Sequence, residues 1–261
     1  MQEKDAAILL RRTPYSNTSL IVSLLTRHHG VRELIAKGAR RPNSPVLGQL
    51  DWLCEGELIW YPSRRDGLDT LGAFTTDTLR MAVRTHPERF AAACFCCELL
   101  SATILPHHPE PEAYDLLSAA LSYFDGGGMA DRGASVFALQ YLRGHGLSPA
   151  LDCCADCGGT FAADGAHFSV QRGLCVCDAC AKRESTERVQ PSTLEGLRYL
   201  SRTTFDRADR LRLTPRTALG VLSTVIRMLE NQFGRAFRSA RFLQHLREHA
   251  LRGEQGRARI P

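Results

Sequence analysis

The chain has 261 residues, of which 44% are hydrophobic, so it can fold around a core, and this composition argues against global disorder. No apolar run approaches the roughly 20 residues of a membrane-spanning helix, and early acidic residues argue against a signal peptide. We therefore expect a soluble, cytoplasmic protein without a membrane partner. The net charge is +2 over residues 1–80, −6 over 81–180 and +9 over 181–261. This segregation favours a polyanionic partner.

The N-terminal part of the chain is predicted to form strands. Short segments rich in apolar and β-branched residues alternate there with turn signals containing Gly, Pro, Asn and Ser. The five predicted strands cover residues 5–12, 19–26, 31–37, 53–61 and 68–74. Five short strands with this spacing predict a small barrel or sandwich. The loop after the third strand is among the longest and the most basic.

From about residue 76 the pattern becomes helical. Apolar residues recur at i, i+3, i+4 and i+7, which predicts amphipathic helices. The predicted helices lie within 90–104, 113–124, 136–143, 191–200, 215–229 and 237–251. Between the second and third, the glycine-rich stretch 125–133 is predicted to be a flexible break. Residues 253–261 are predicted to be a frayed tail.

Two C-x-x-C pairs interrupt the helical region. Cys154 and Cys157 form the first pair and Cys177 and Cys180 the second, with 19 residues between the pairs. Two thiolates three residues apart on a tight turn can face one metal ion, and two such turns complete a tetrahedron. The spacing predicts one zinc ion held by these four cysteines in a zinc-ribbon-like motif at 151–183. Four thiolates leave no open position, so the site is predicted to be structural.

Other assignments of the cysteines stay open. Cys153 and Cys175 are additional thiols at poorer spacing, and either one could replace one of the four ligands. Four cysteines also hold iron–sulfur clusters, and a single C-x-x-C can be redox-active. His167 is predicted to be a loop residue and not a ligand. Cys94 and Cys97 fall on the apolar face of a predicted helix, which favours core packing.

Basic residues cluster in the loop after the third predicted strand. Lys37, Arg40 and Arg41 stand close together, and Arg32 precedes them. A loop of this kind on a small barrel can follow the phosphates of a single strand, although a solvated loop is the alternative. Two adjacent arginine pairs stand at 11–12 and 64–65, and such pairs usually only keep a surface soluble. Three of these arginines are nevertheless predicted to bind DNA: Arg11, Arg64 and Arg65.

A second basic run lies near the C-terminus. Arg235, Arg238 and Arg241 recur every three residues, and at helical spacing they would share one face that could meet acidic groups. The phenylalanines beside them are predicted to pack in the core: Phe233, Phe237 and Phe242. The sequence contains neither a phosphate-binding loop nor a nucleophile elbow, so no helicase, nuclease or ATPase is indicated.

Taken in chain order, these motifs resemble the RecO family of bacterial recombination mediators. The motifs are AKGARRPNS at 36–44, the paired cysteines followed by Gly-Gly, and FGRAFRSARFL at 233–243. The resemblance implies an α+β protein in which an OB-fold barrel at 1–79 precedes an α-helical domain at 80–261. The spacing between Gly173 and the second cysteine pair departs from the family pattern by about one residue, which leaves Cys175 as a rival to Cys177.

The resemblance also implies a function without catalysis. Such proteins bind single- and double-stranded DNA without sequence preference, anneal complementary strands and, with RecR, help to load RecA on DNA coated by the single-strand-binding protein SSB. The partners implied are therefore DNA, RecR, the C-terminal tail of SSB and, indirectly, RecA, with association to the nucleoid during repair. The alternatives are a zinc-ribbon module for protein interaction or transcription and, from another class, a nuclease or redox enzyme.

Overall fold

The N-terminal strands close into a five-stranded barrel in the order β1-β2-β3-β5-β4. The computed structural model describes residues 2–63, 67–163, 165–182 and 185–257. Neighbouring strands are antiparallel except β3 and β5, which are parallel. The strands are β1 (Glu3–Pro14), β2 (Leu20–Thr26), β3 (Gly30–Ala36), β4 (Glu55–Tyr61) and β5 (Asp69–Thr78). This confirms the five predicted strands and identifies the fold as a barrel.

Alternation along β1 explains how the barrel has two apolar surfaces. Ala7 and Leu9 point into the barrel core, whereas Ile8 and Leu10 belong to the core that the barrel shares with the helices. The register of the pairing between β1 and β2 shifts between Leu9 and Arg11, which marks a β-bulge in β1. A strand that is apolar on both faces is what a barrel packed against helices requires.

Nine helical segments follow in the described part of the chain. They are α1 (Met81–Arg84), α2 (Pro87–Thr103), α3 (Pro111–Asp125), α4 (Ala130–Gly144), α5 (Asp178–Ala181), α6 (Pro191–Arg202), α7 (Phe205–Ala208), α8 (Pro215–Phe233) and α9 (Arg238–Arg257). A three-stranded sheet in the order β7-β6-β8 lies between α4 and α6 in the sequence. Its strands are β6 (Ala166–Ser169), β7 (Leu174–Val176) and β8 (Thr186–Val189). Within the described residues, no helix combines the length and hydropathy needed to cross a lipid bilayer.

Helix α2 lies at the centre of the helical region. It packs against α3, α4, α9 and β1, and small residues such as Ala92 let these neighbours approach closely. The prediction of an amphipathic helix was wrong here, because α2 is buried on nearly every side. Cys96 and Cys97 are both buried, whereas Cys94 is only partly buried. Core packing therefore explains Cys97 as predicted.

The glycine-rich stretch before α4 is a tightly packed corner, so the prediction of a flexible break at 125–133 was wrong. Helix α4 already begins at Ala130. A Cβ added to Gly128 or Gly133 would come within 2.4 Å of the ring of Tyr123. Gly128 and Gly133 are required because the Tyr123 ring occupies the space of a side chain, whereas Gly127 is required by its φ of +100°.

A partly buried carboxylate joins the barrel to the helices. Glu55, at the start of β4, forms an ion pair with Arg80, whose side chain is 3% exposed. The hydroxyl of Tyr114 donates to Glu55 Oε1 at 2.8 Å and that of Ser118 to Oε2 at 2.8 Å. The Arg80 guanidinium and the hydroxyl groups of Tyr114 and Ser118 thus contact the same carboxylate. Because Tyr114 and Ser118 belong to α3, these contacts hold α3 at a fixed angle to the barrel.

Glu55→Ala is expected to destabilise the protein by about 3–5 kcal/mol, because it leaves the buried Arg80 guanidinium without its charge partner. Urea denaturation measures the change in the free energy of unfolding. Glu57→Ala is the matched control, because the exposed pair of Glu57 and Lys4 is expected to contribute about 0–1 kcal/mol. Equal losses for the two variants would show that the Glu55 network does not hold the junction.

Candidate metal centre and nucleic-acid interface

The four cysteines of the two C-x-x-C pairs meet in the folded chain. The sulfur atoms of Cys154, Cys157, Cys177 and Cys180 all lie within 4.8 Å of one another. The Sγ atoms of Cys157 and Cys177 are 3.7 Å apart. No other group of three or more potential metal ligands converges in this way within the described residues. The structure therefore brings together the set predicted from spacing.

The first pair lies on a tight turn that the backbone builds. The N–H of Gly158 donates to the carbonyl of Cys154 at 3.0 Å, and the N–H of Cys154 donates to the carbonyl of Gly159 at 2.8 Å. Gly158 has φ +68°, in the left-handed region that disfavours a Cβ. The chain therefore reverses between Cys154 and Gly159, and the conformation of Gly158 closes this turn directly after Cys157.

The second pair lies where β7 passes into the short helix α5. Cys177 precedes α5 and Cys180 is in it, so a spacing of three residues puts both on one side of a helical turn. Asp178, between them, accepts a hydrogen bond from Nε2 of His167 at 2.7 Å. His167 is a residue of β6, so its prediction as a loop residue was wrong. It supports the turn from outside the four-sulfur group.

The four thiols differ in their tendency to ionise. Burial opposes ionisation of Cys154, but backbone N–H groups of Cys157, Cys177 and Asp156 directed at its sulfur lower the pKa of this thiol to about 6. Burial and the three neighbouring sulfur atoms raise the pKa of Cys180 to about 12. One thiolate forms readily and then suppresses the next, so a cation is needed before all four can be charged.

The convergence of the four sulfur atoms is compatible with a structural metal site. With zinc–sulfur bonds of about 2.3 Å, the sulfur atoms of a tetrahedron lie about 3.8 Å apart. The observed 3.7 Å between Cys157 and Cys177 agrees with this separation. Four cysteines would hold the ion and leave no position for water or substrate, which is compatible with a structural site.

Cys153 and Cys175 both lie outside this group of four sulfur atoms. Alternation along β7 puts Leu174 and Val176 on the face near the four sulfur atoms and Cys175 on the opposite face, in the helical core. Burial raises the pKa of Cys175 to about 11. Cys153 is partly exposed and is not one of the four converging thiols.

Arginines from the helices hold the cysteine motif in place. Arg198 of α6 donates from Nε to the carbonyl of Leu151 at 2.8 Å. Arg227 of α8 forms an ion pair with Glu187, and its guanidinium lies 4.9 Å from the ring centre of Phe168. The motif is therefore packed and charge-paired onto α6 and α8, and disturbing it would expose part of the helical core.

The basic loop between β3 and β4 projects from one end of the barrel. Ala39 is buried in the barrel core and anchors the loop, whereas Lys37, Arg40 and Arg41 are exposed. Gly38 has φ +69°, and this conformation lets the chain turn sharply after β3. Among the described residues, none of the three cations forms an ion pair, so their charge is available to an anion. Contact with DNA stays a prediction.

The other predicted barrel arginines are differently placed. Arg11 is exposed but pairs with Glu33 at 2.9 Å. Arg32 is largely buried, lies 3.6 Å from Asp69 and stacks near the ring of Trp60. Both contacts compete with a phosphate for the guanidinium. The remaining two predicted DNA-binding arginines of the barrel lie outside the described residues: Arg64 and Arg65.

The C-terminal basic run is divided by a helix end, so the prediction that its arginines share one helical face was wrong. Helix α8 ends at Phe233 and is capped by Gly234, whose φ of +62° is left-handed, and α9 begins only at Arg238. Arg235 therefore lies in the corner between helices. Arg241 lies 3.7 Å from Glu230. The carboxylate of Glu98 accepts the N–H of Arg238 at the start of α9.

The aromatic residues of this run also divide. Phe237 is fully buried and packs edge-on against Phe95, with ring centres 6.2 Å apart. Phe233 is partly buried against the same core. Phe242 is 54% exposed, so its predicted place in the core was wrong. These different positions follow from the break between α8 and α9. Phe237 precedes α9 and is buried, whereas Phe242 lies within α9 on its exposed side.

A cleft of about 940 Å³ separates the barrel from the helices. Arg11, Arg235 and Arg238 line it together with Glu33 and Glu98. Two predicted basic sites that are far apart in the sequence therefore meet at one cleft. Asp69 lines the cleft as well, so three carboxylates match the three arginines and the cleft has no net positive charge. The barrel loop is therefore the more strongly basic of the two surfaces.

An exposed aromatic residue beside the basic loop was missed in the sequence. Tyr15, in the turn between β1 and β2, is 62% exposed. The next residue in the turn, Ser16, accepts a hydrogen bond from Nη1 of Arg40 at 2.8 Å through its carbonyl. The available signal was an aromatic residue within a turn of otherwise polar residues. Such a position has no packing role in the barrel.

Comparison with known proteins agrees with this architecture. The family model described as "Recombination protein O N terminal" matches residues 1–76, and "Recombination protein O C terminal" matches residues 84–241. A protein of Rhodopirellula baltica named DNA repair protein RecO is 36% identical over 69% of this chain and 67% of its own length. Proteins with the same name from Anaeromyxobacter sp. and Dehalococcoides mccartyi are 29% and 28% identical over 93% and 86% of this chain, and 96% and 87% of their own lengths.

Proposed function

Because this chain belongs to the RecO family of DNA repair and recombination proteins, we propose that it acts as a non-enzymatic recombination mediator. In this proposal it binds single- and double-stranded DNA without sequence preference and anneals complementary strands. With RecR, it helps to load RecA on DNA coated by SSB. Its place of action is the cytoplasm, at the nucleoid during repair.

The observation that carries the proposal is the unpaired charge of the barrel loop. Lys37, Arg40 and Arg41 are exposed at one end of a closed small barrel, a fold that commonly binds oligonucleotides through its loops. Each phosphate that a cation neutralises releases counterions, which gives binding that depends on salt and not on sequence. The arginines engaged within the protein, Arg11 and Arg32, are proposed to contribute less.

Annealing follows from the same physics. Two complementary strands repel each other until their phosphates are neutralised, and bases pair only when both strands are held close together. We assign one strand to the barrel loop and propose that the second meets Arg235 and Arg238 at the cleft. No group needs to react, so the proposed role requires no catalytic residue.

The helical domain is proposed to serve partners and stability. In this division, residues 1–79 hold DNA and residues 80–261 contact RecR and the C-terminal tail of SSB, which brings the protein to coated single strands. The four cysteines would hold one zinc ion that stabilises the motif packed on α6 and α8. The proposed function thus lies in the barrel and the cleft, and the metal supports the scaffold.

Strand annealing with two complementary oligonucleotides tests the proposal. We expect the protein to accelerate duplex formation on bare strands and, with RecR, on strands coated by SSB. Binding that weakens steeply with salt is expected in the same samples. A protein that neither binds nor anneals DNA at low salt would instead support the alternative, a zinc-ribbon module for protein interaction or transcription.

A further inference from the structure

Tyr15 stands at the tip of the β1–β2 turn, next to the basic loop. Its side chain is 62% exposed and has no core neighbours in the barrel cluster. Arg40 reaches the same turn twice, through Nη1 to the carbonyl of Ser16 at 2.8 Å and through its backbone N–H to the carbonyl of Thr18 at 3.0 Å. Arg40 therefore holds the basic loop against the turn that carries Tyr15, at one end of the barrel.

The turn that carries Tyr15 is well ordered by its own hydrogen bonds. The N–H of Tyr15 donates to the carbonyl of Ser19 at 3.0 Å, and the N–H of Ser19 donates to Oγ of Ser16 at 3.1 Å. Pro14 precedes the turn and restricts the backbone on its other side. A ring presented on a braced turn loses little conformational entropy when it meets a ligand.

We infer that Tyr15 is a stacking platform for an unpaired base of the DNA strand whose phosphates meet the basic loop. An exposed aromatic face beside a basic groove is the arrangement by which proteins bind single strands without reading sequence. The inference rests on the proposed function and deepens it, because it names the residue that distinguishes single from double strands. Lys37, Arg40 and Arg41 attract any phosphate backbone, whereas a base inside a duplex has no free face for Tyr15.

The selectivity has a consequence for annealing. A base that stacks on Tyr15 is unstacked from its neighbours in the single strand, and its pairing edge stays exposed. When this base pairs with the complementary strand, it leaves the Tyr15 ring. Because the duplex has no base for Tyr15, the product binds through phosphates alone and leaves more readily than the substrate strands. The same residue thus favours binding of single strands and release of the annealed product.

The test compares Tyr15→Ala, Tyr15→Leu and Tyr15→Phe for binding to a mixed-sequence single strand and to its duplex. We expect Ala and Leu to weaken single-strand binding by about 5- to 100-fold and Phe to change it less than about twofold. Duplex affinity and the slope of affinity against salt are expected to stay unchanged for all three, because no phosphate contact is lost. Thermal melting checks that each variant is folded, and Met129→Ala is the control for loss of an exposed apolar side chain in the helical domain.

The outcomes separate this inference from the proposed function. If wild-type protein binds both DNAs and Tyr15→Ala binds the single strand equally well, the stacking role is wrong and the proposed function stands. If Tyr15→Ala weakens duplex binding as strongly as single-strand binding, or if Leu binds like Phe, Tyr15 acts through the turn and not by stacking. If wild-type protein binds neither DNA, the proposed function and the inference both fail.

Discussion

Cys154→Ser is expected to abolish metal binding and to destabilise the protein, whereas Cys153→Ser leaves both nearly unchanged. Cys154 is one of the four converging sulfur atoms, and Cys153 is not. Binding of structural zinc contributes roughly 10–16 kcal/mol in small zinc motifs, and part of this stabilisation reaches the helices through Arg198 and Arg227. We expect a loss of about 3 kcal/mol or more, or roughly 6–12 °C in melting temperature.

Elemental analysis and thermal melting of the two variants make this measurement. The wild-type chain is expected to carry one zinc ion and to lose stability when a chelator removes it. Cys175→Ala is a second control, because Cys175 packs in the helical core and should keep the metal. Loss of metal from Cys153→Ser together with retention in Cys154→Ser would reverse the assignment of the ligands by one residue.

Reversal of the three loop cations, Lys37→Glu, Arg40→Glu and Arg41→Glu together, is expected to weaken single-strand binding by about 100-fold near 0.1 M salt. Counterion release at that concentration contributes about fivefold for each neutralised phosphate of a single strand. The slope of the logarithm of affinity against the logarithm of salt concentration should fall in magnitude by about 2. Fluorescence anisotropy of a labelled oligonucleotide over a salt series measures both quantities.

The control for this variant has the same change in net charge at another exposed place. Arg207, Arg210 and Arg212 lie in the segment from α7 to the start of α8 and are exposed. Their joint reversal to Glu is expected to leave the salt slope within error of the wild-type value. If both triple variants lose affinity equally, the barrel loop acts only through the total charge of the protein.

The barrel was predictable because its strands carry local signals. Polar turns bound each apolar run, and these patterns do not depend on the rest of the chain. Closure into a barrel was not predictable in the same way. It depends on the parallel pairing of Leu34 and Ile35 with Asp69 and Thr70, which are distant in the sequence. The resemblance to the RecO family, and not the pattern of the strands, implied the closed barrel.

The convergence of the four cysteines was predictable from their spacing, whereas the small sheet beside them was not. The spacing of the four cysteines is a local geometric requirement, and the structure brings their sulfur atoms together. The strands β6, β7 and β8 have three or four residues each, too few for a periodic pattern to be recognised. Cys175 could be separated from Cys177 only when the faces of β7 were known.

The errors lie where tertiary contacts override periodicity. Gly234 ends α8 and divides a run of arginines that looks continuous on a helical wheel. The ring of Tyr123 turns a glycine-rich stretch into a packed corner. The proximity of the Tyr15 turn to the basic loop could not be predicted from the sequence, because Arg40 reaches this turn from a different loop.

The central claim is that the basic end of the barrel, and not the cysteine motif, handles DNA. The most direct measurement is the rate at which two complementary oligonucleotides anneal with wild-type protein and with the triple variant of Lys37, Arg40 and Arg41. We expect rapid annealing with wild-type protein and a rate close to that of protein-free strands with a folded, zinc-loaded variant. Annealing by that variant at the wild-type rate would contradict this claim.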